Sequence, residues 1–123
     1  MAQPQMAAQA AQAFRTLRRW QRLKIHVPVT VVVRKQEKTV FVQARGQDLN
    51  EGGIRVFVGT ELRIGEMVEI SFTPPYQGNP MTARTVVRYR RGYTYGMEFV
   101  TETKEDAKKV ESIRSVLRTM KIE

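Results

Sequence analysis

The sequence contains no cysteine, which excludes disulfides, thiolate metal sites and cysteine nucleophiles together. Its one histidine, His26, leaves no second base from which a catalytic triad could be assembled. Asp48 and Glu51 stand three apart with neither His nor Cys beside them, too little for a metal site. Long apolar runs are missing as well. The longest, Val27 to Val33, is interrupted by Pro28 and Thr30 and falls far short of the roughly 18 residues of a membrane span. The opening residues, MAQPQMAAQAAQAF, have neither the basic start nor the apolar core of a secretory leader, so the chain is expected to be cytoplasmic. These absences point to a protein that binds rather than one that catalyses.

What is abundant is positive charge. Lysine and arginine number 21 against 12 acids, a formal net charge of +9, and this favours an anionic partner such as a nucleotide, nucleic acid or membrane surface. The charge is unevenly placed. Arg15, Arg18, Arg19, Arg22 and Lys24 stand in the first 25 residues with no acid among them, whereas the tail from Thr101 to Glu123 is nearly balanced. The basic arm is therefore where an anion should land.

At 123 residues, 41% hydrophobic and 27% charged, the chain suits one globular domain. Residues 1–14 are rich in Ala and Gln and read as a flexible segment. From Ile25 onward β-branched runs take over: IHVPVTVVV, TVFVQA, IRVFV, MVEISF, MTARTVVRYR and YTYGMEFV. Turn signals separate them, namely KQEK, EGG, LRIGE, PPYQGNP and RRG. About six strands without intervening helices predict an antiparallel barrel or sandwich, and closure would remove exposed edges. After Thr103, with Asp106 three residues on as its capping partner, Val110, Ile113, Leu117 and Met120 recur at helical spacing. This predicts a C-terminal amphipathic helix over about 104–121 that lays its apolar stripe on the sheet.

Two patterns carry binding chemistry. In RRWQR, Arg18 and Arg22 are four apart, with Arg19 and Trp20 between them. A guanidinium is a planar fork of donors that grips phosphate oxygens or the O6 and N7 acceptors of guanine in pairs. Trp20 offers a face for stacking or an anchor against the sheet. In DLNEGGI, Asp48 and Asn50 supply short polar side chains, and Gly52 and Gly53 permit positive φ or a close approach. Alone, each pattern also reads blandly: a solvated basic arm, and a tight turn in which Asp48 is the turn-forming residue.

In this order and on this strand background, the two patterns resemble the signature of the PilZ domain family. That signature is RxxxR, about six residues ahead of a Pro-Val opening the first strand, followed later by (D/N)xSxxG. Arg22 precedes Pro28-Val29 by six residues, which selects Arg18 and Arg22 over the equally spaced Arg15/Arg19 and Arg84/Arg88. Asp48, Asn50 and Gly53 fall on the second motif, with Asn50 standing where the family has serine. LRIGEMVEISF and YGMEFV are similar to its later strands.

The resemblance implies an all-β fold: a six- or seven-stranded antiparallel, Greek-key-like barrel with a C-terminal helix and a flexible basic N-terminal arm. The domain would span 15–123. It further implies a receptor, not an enzyme, whose ligand is cyclic di-GMP and whose signal passes to a separate downstream protein. Arg18 and Arg22 would clasp guanine edges and phosphates with Arg19 in support. Asp48 would accept from a guanine N–H, Asn50 would bond base or backbone, and Gly53 would leave room. Two other readings compete: a ligand-free adaptor of the same fold, and a general nucleic-acid binder on an OB-like barrel, supported by the charge and by Tyr76, Tyr89, Tyr93 and Tyr95.

Overall fold

The β-branched runs form six strands and the C-terminal stripe forms a helix, as the periodicities predict. The computed structural model describes residues 23–74 and 78–121, with side chains to Thr119; the 1–14 segment, Arg18, Arg19, Trp20, Arg22 and Tyr76 lie outside the described residues. The elements are β1 (Leu23–Lys35), β2 (Lys38–Leu49), β3 (Gly53–Val58), β4 (Met67–Phe72), β5 (Met81–Arg91), β6 (Thr94–Phe99) and α1 (Lys104–Lys121). All pairings are antiparallel and the sheet closes in the order β1-β2-β3-β6-β5-β4. After β3 the chain steps past the neighbouring position to β4, and β6 later fills it, which is the Greek-key-like feature of the barrel.

Inside, alternate residues meet. Val29, Val31 and Val33 of β1, Val56 and Val58 of β3, Val68 and Ile70 of β4, Val87 of β5 and Tyr95 and Met97 of β6 share one buried cluster. Each such side chain taken out of water contributes on the order of 1.5–3 kcal/mol before conformational entropy is subtracted.

A barrel has two open ends, and each is plugged differently. At the end where β2 finishes and β3 begins, α1 contributes Val110, Ile113 and Leu117 to the same cluster, all fully buried. Its start is a capping box: the Asp106 N–H donates to Thr103 Oγ1 at 2.9 Å, and the Thr103 N–H donates back to Asp106 Oδ2 at 3.4 Å. Arg84 of β5 lies 3.6 Å from Asp106 and helps tie that start to the sheet. Glu105 and Asp106 in the first turn also suit the positive end of the helix dipole.

The opposite end is closed by the connection between β3 and β4, whose Leu62 is buried in the core. Tyr95 holds this connection down. Its ring is fully buried, and its hydroxyl accepts from the Leu62 N–H at 3.0 Å and donates to the Thr60 carbonyl at 3.3 Å. Tyr95 is therefore a core residue and offers no stacking surface, while Tyr89 and Tyr93 remain exposed. The aromatic support for a nucleic-acid platform is correspondingly reduced.

Tyr95→Phe keeps the packing but strands the buried Leu62 N–H without its acceptor. It is expected to cost about 1–3 kcal/mol, read as a lower urea midpoint at unchanged m-value.

Candidate functional site

One row of cross-strand partners crosses five strands of the barrel: Lys24, Asp48, Arg55, Gly96 and Tyr89. Three irregularities of register converge on this row. An extra residue is accommodated in β1 between Lys24 and Val27, in β2 between Gly46 and Asp48, and in β5 between Val87 and Tyr89. Bulges of this kind re-aim side chains that strict alternation would have sent to the other face. At the β1 bulge, His26 adopts a left-handed φ of 45° and is exposed, so it marks the bulge and holds nothing inside the barrel.

Asp48 is the centre of the row. Its residue is only 5% exposed, and its Oδ2 pairs with Arg55 Nη2. A carboxylate this deep requires such a partner, since leaving it unpaired would cost several kcal/mol. Asp48 thus does not form the turn. That role falls to Asn50, whose Oδ1 accepts from the N–H groups of Gly52 at 2.7 Å and Gly53 at 2.9 Å. The Asn50 N–H closes the turn on the Gly53 carbonyl at 3.0 Å. With Oδ1 occupied, the amide nitrogen of Asn50 is the part left to meet a ligand.

Gly53 is required for a reason the sequence did not reveal. A Cβ at this position would sit 2.0 Å from the Met97 carbonyl of β6. Its φ is not in the left-handed region; the close approach is by a neighbouring strand, and Gly53 lines the groove with backbone alone. Gly96 works likewise on the outer face, where the ring of Tyr89 lies across it and a Cβ would stand 1.9 Å from a ring carbon.

Two hollows flank the Asp48–Arg55 pair. One, of about 420 Å³, is lined by Asn50, Gly53, Arg88, Tyr89, Gly96 and Glu98 besides the pair itself. The other, of about 330 Å³, lies on the β1 side and is lined by Lys24, His26, Arg45, Gln47 and Phe57 with the same pair. Each has one exposed aromatic ring, Tyr89 or Phe57. A larger hollow of about 620 Å³ lies at the far end of the β1–β2 ribbon, where Lys35, Lys38 and Arg63 are balanced by Glu37, Glu61 and Glu66. Without an excess of either charge or an aromatic face, it lacks the chemistry of the first two.

The turn is also held from behind. Arg114 Nε donates to the Glu51 carbonyl at 2.7 Å, and Arg118 Nη2 reaches Glu51 Oε1 at 3.3 Å. The hydrogen bond that Arg118 donates to Glu111, the charge of Glu111, and then Glu51 hold the Arg118 guanidinium above its ordinary pKa. Among the described residues no group of three or more His, Cys, Asp or Glu side chains could hold a metal, and no helix is long and apolar enough to cross a membrane.

The family model of the PilZ domain matches residues 16–115. The chain belongs to the PilZ domain family. Among solved structures it is similar to the PilZ domain of CeSA from a cellulose-synthesizing bacterium, with a TM-score of 0.62 at 16% identity, covering 79% of this chain and 97% of that one. At such identity the likeness is one of fold. No curated protein matches the sequence. PilZ domains are in general cyclic di-GMP receptors or adaptors and not enzymes.

In this PilZ domain the structure brings Asp48, Asn50 and Gly53 to one groove, and it adds Arg55, Tyr89, Gly96 and Phe57, none of which the motif reading singled out. A glycine inside the strand run YTYGMEFV was the available signal for Gly96, because strand glycines mark close approaches. Arg55 had no comparable signal, since its importance comes only from facing Asp48 across the β2 bulge.

Asn50→Ala should loosen the turn by about 1–2 kcal/mol through loss of the bonds to Gly52 and Gly53. Asn50→Ser should retain part of them through its hydroxyl. Gly53→Ala should be worse than either, since β3 and β6 must part to admit the methyl group, at about 1–3 kcal/mol or more. Thermal unfolding of the ligand-free variants checks the order.

Proposed function

We propose that this PilZ domain binds cyclic di-GMP on the outer face built by β1, β2, β3, β6 and β5, and passes the signal to a separate protein through its N-terminal arm. The observation that carries the reading is the pair of hollows meeting on Asp48 and Arg55, each with a ring beside it. A ligand with two planar guanines joined by two phosphates suits two neighbouring hollows bridged by a fixed guanidinium.

Roles follow from which atoms are still unengaged. Asp48 Oδ1 is the carboxylate oxygen available to a guanine N–H, because Oδ2 holds Arg55. Asn50 presents its amide nitrogen. The Nε–H of Arg55 is buried with no acceptor among the described residues, and a ligand oxygen or ring nitrogen would satisfy it. Tyr89 and Phe57 supply faces for stacking, each worth on the order of 1–3 kcal/mol for a base.

The arm completes the site. β1 begins at Leu23, opposite Leu49, so the sheet starts beside the Asn50–Gly53 turn, and in the sequence Arg22 and Arg18 precede Leu23 by one and five residues. Arg18 and Arg22 then close over guanine edges and phosphates, with Arg19 as a supporting cation. Closing the arm on bound nucleotide changes the surface shown to a downstream protein, and that change is the output.

Calorimetric titration tests this. Cyclic di-GMP is expected to bind in preference to GTP or GMP. Arg18→Ala and Arg22→Ala should each weaken binding by about 1–3 kcal/mol, while Arg15→Ala changes it far less. No binding at high micromolar cyclic di-GMP would leave the ligand-free adaptor as the function. Equal affinity for single-stranded nucleic acid, falling steeply with salt, would instead indicate the general polyanion binder.

A further inference from the structure

The Asn50–Gly53 turn accounts for its carbonyls in three directions. The Gly53 carbonyl takes the Asn50 N–H within the turn, and the Gly52 carbonyl takes the Phe99 N–H at the end of β6. The Glu51 carbonyl takes the guanidinium of Arg114, which lies 63 residues further along the chain on the C-terminal helix. One helical turn later Arg118 reaches the side chain of the same Glu51, and Glu111 at 2.9 Å holds Arg118 in that orientation. Residues four apart share a helix face, so the two arginines form a clamp. The stripe of Val110, Ile113 and Leu117 meanwhile seats the helix in the barrel end.

We propose that Arg114 and Arg118 are positioning residues of the ligand site, so that nucleotide binding and docking of the C-terminal helix are thermodynamically linked. The inference rests on the cyclic di-GMP reading and adds a regulatory element to it. The seated helix braces the turn that presents Asn50 to the ligand, since Arg114 supplies the partner of its central carbonyl. By linkage, whatever holds the helix raises ligand affinity, and bound ligand holds the helix by the same factor. The outward face of α1, with Lys104, Glu105, Lys108 and Lys109, therefore becomes a second surface at which occupancy can be sensed. A partner gripping that face would tune the affinity of a site it never touches.

The test combines calorimetry with hydrogen exchange on the full chain. Arg114→Ala should weaken cyclic di-GMP binding about tenfold, the scale of one lost hydrogen bond to a charged donor. Arg114→Lys, which keeps a charged donor, should recover most of it. Lys109→Ala, on the same helix but away from the turn, should bind as the parent does. Cyclic di-GMP should slow exchange of the amides of residues 114–119, and Arg114→Ala should speed exchange at Gly52 and Gly53 without ligand. If the parent binds but Arg114→Ala binds within twofold of it, and helix exchange ignores the ligand, the linkage is refuted. If the parent does not bind cyclic di-GMP, the ligand reading fails on its own, and exchange at Gly52 and Gly53 decides the clamp: faster in Arg114→Ala supports it, unchanged overturns it.

Discussion

A carboxylate buried at the end of a strand must have a cation beside it, and the geometry of the barrel face around Asp48 follows from that one requirement. The pair with Arg55 needs β2 and β3 in a particular register, yet regular alternation from Gly46 would not bring these two residues together. The extra residue between Gly46 and Asp48 solves this by shifting the pairing, so that Asp48 faces Arg55 while Leu49 still reaches the core. The adjoining strands adjust in kind. β1 absorbs its own extra residue around His26, and β5 absorbs one before Tyr89, whose ring then lies on Gly96. A closed barrel has no edge at which a mismatch can be discharged, so a bulge in one strand must be met by its neighbours.

The ends of the barrel brace this irregular face. Leu62, held by the Tyr95 hydroxyl, closes one end, and the helix closes the other with three buried aliphatic side chains. Neither plug touches the groove with its apolar residues. Each reaches the sheet through polar contacts as well, and at the helix end those contacts fall on the Glu51 turn. Packing and presentation are thus divided between the two faces of α1: aliphatics inward, arginines sideways onto the turn.

Much of this was legible in the sequence, and the division is physical. Strand existence follows from β-branched runs between turn residues, and the helix start follows from Thr103 and Asp106, because both are local properties. The turn at Asn50–Gly53, with Asp48 just ahead of it, was also readable. Only the bland reading of the motif, with Asp48 as the turn-forming residue, is corrected: Asp48 is buried in an ion pair, and Asn50 forms the turn. Spacing does not say which of two short polar side chains faces the backbone. Strand order, the three bulges, Arg55, and the burial of Tyr95 depend on contacts between residues distant in sequence, and no local pattern encodes them. Gly53 shows the difference well. Its identity was read as freedom for a ligand or a positive φ, whereas the constraint comes from Met97, 44 residues away in sequence.

Asparagine at position 50, where the family pattern has serine, takes on a definite meaning in this geometry. A serine hydroxyl has one proton and a short reach, so bonding the turn amides engages the same atom that would face a ligand. Asparagine separates the two tasks: Oδ1 accepts from Gly52 and Gly53, and the amide nitrogen keeps its donors for something outside the turn. The exchange therefore preserves the turn and alters what the turn offers, from a group that can donate or accept to one that only donates. Acceptor atoms, such as phosphate oxygens or the O6 and N7 of guanine, are the natural counterparts of such a group. The neighbouring Asp48 contributes acceptance and Arg55 donation, which on the cyclic di-GMP reading proposed above would match both halves of a guanine edge. The departure from the motif redistributes hydrogen-bonding roles within the site and leaves its complement of donors and acceptors complete.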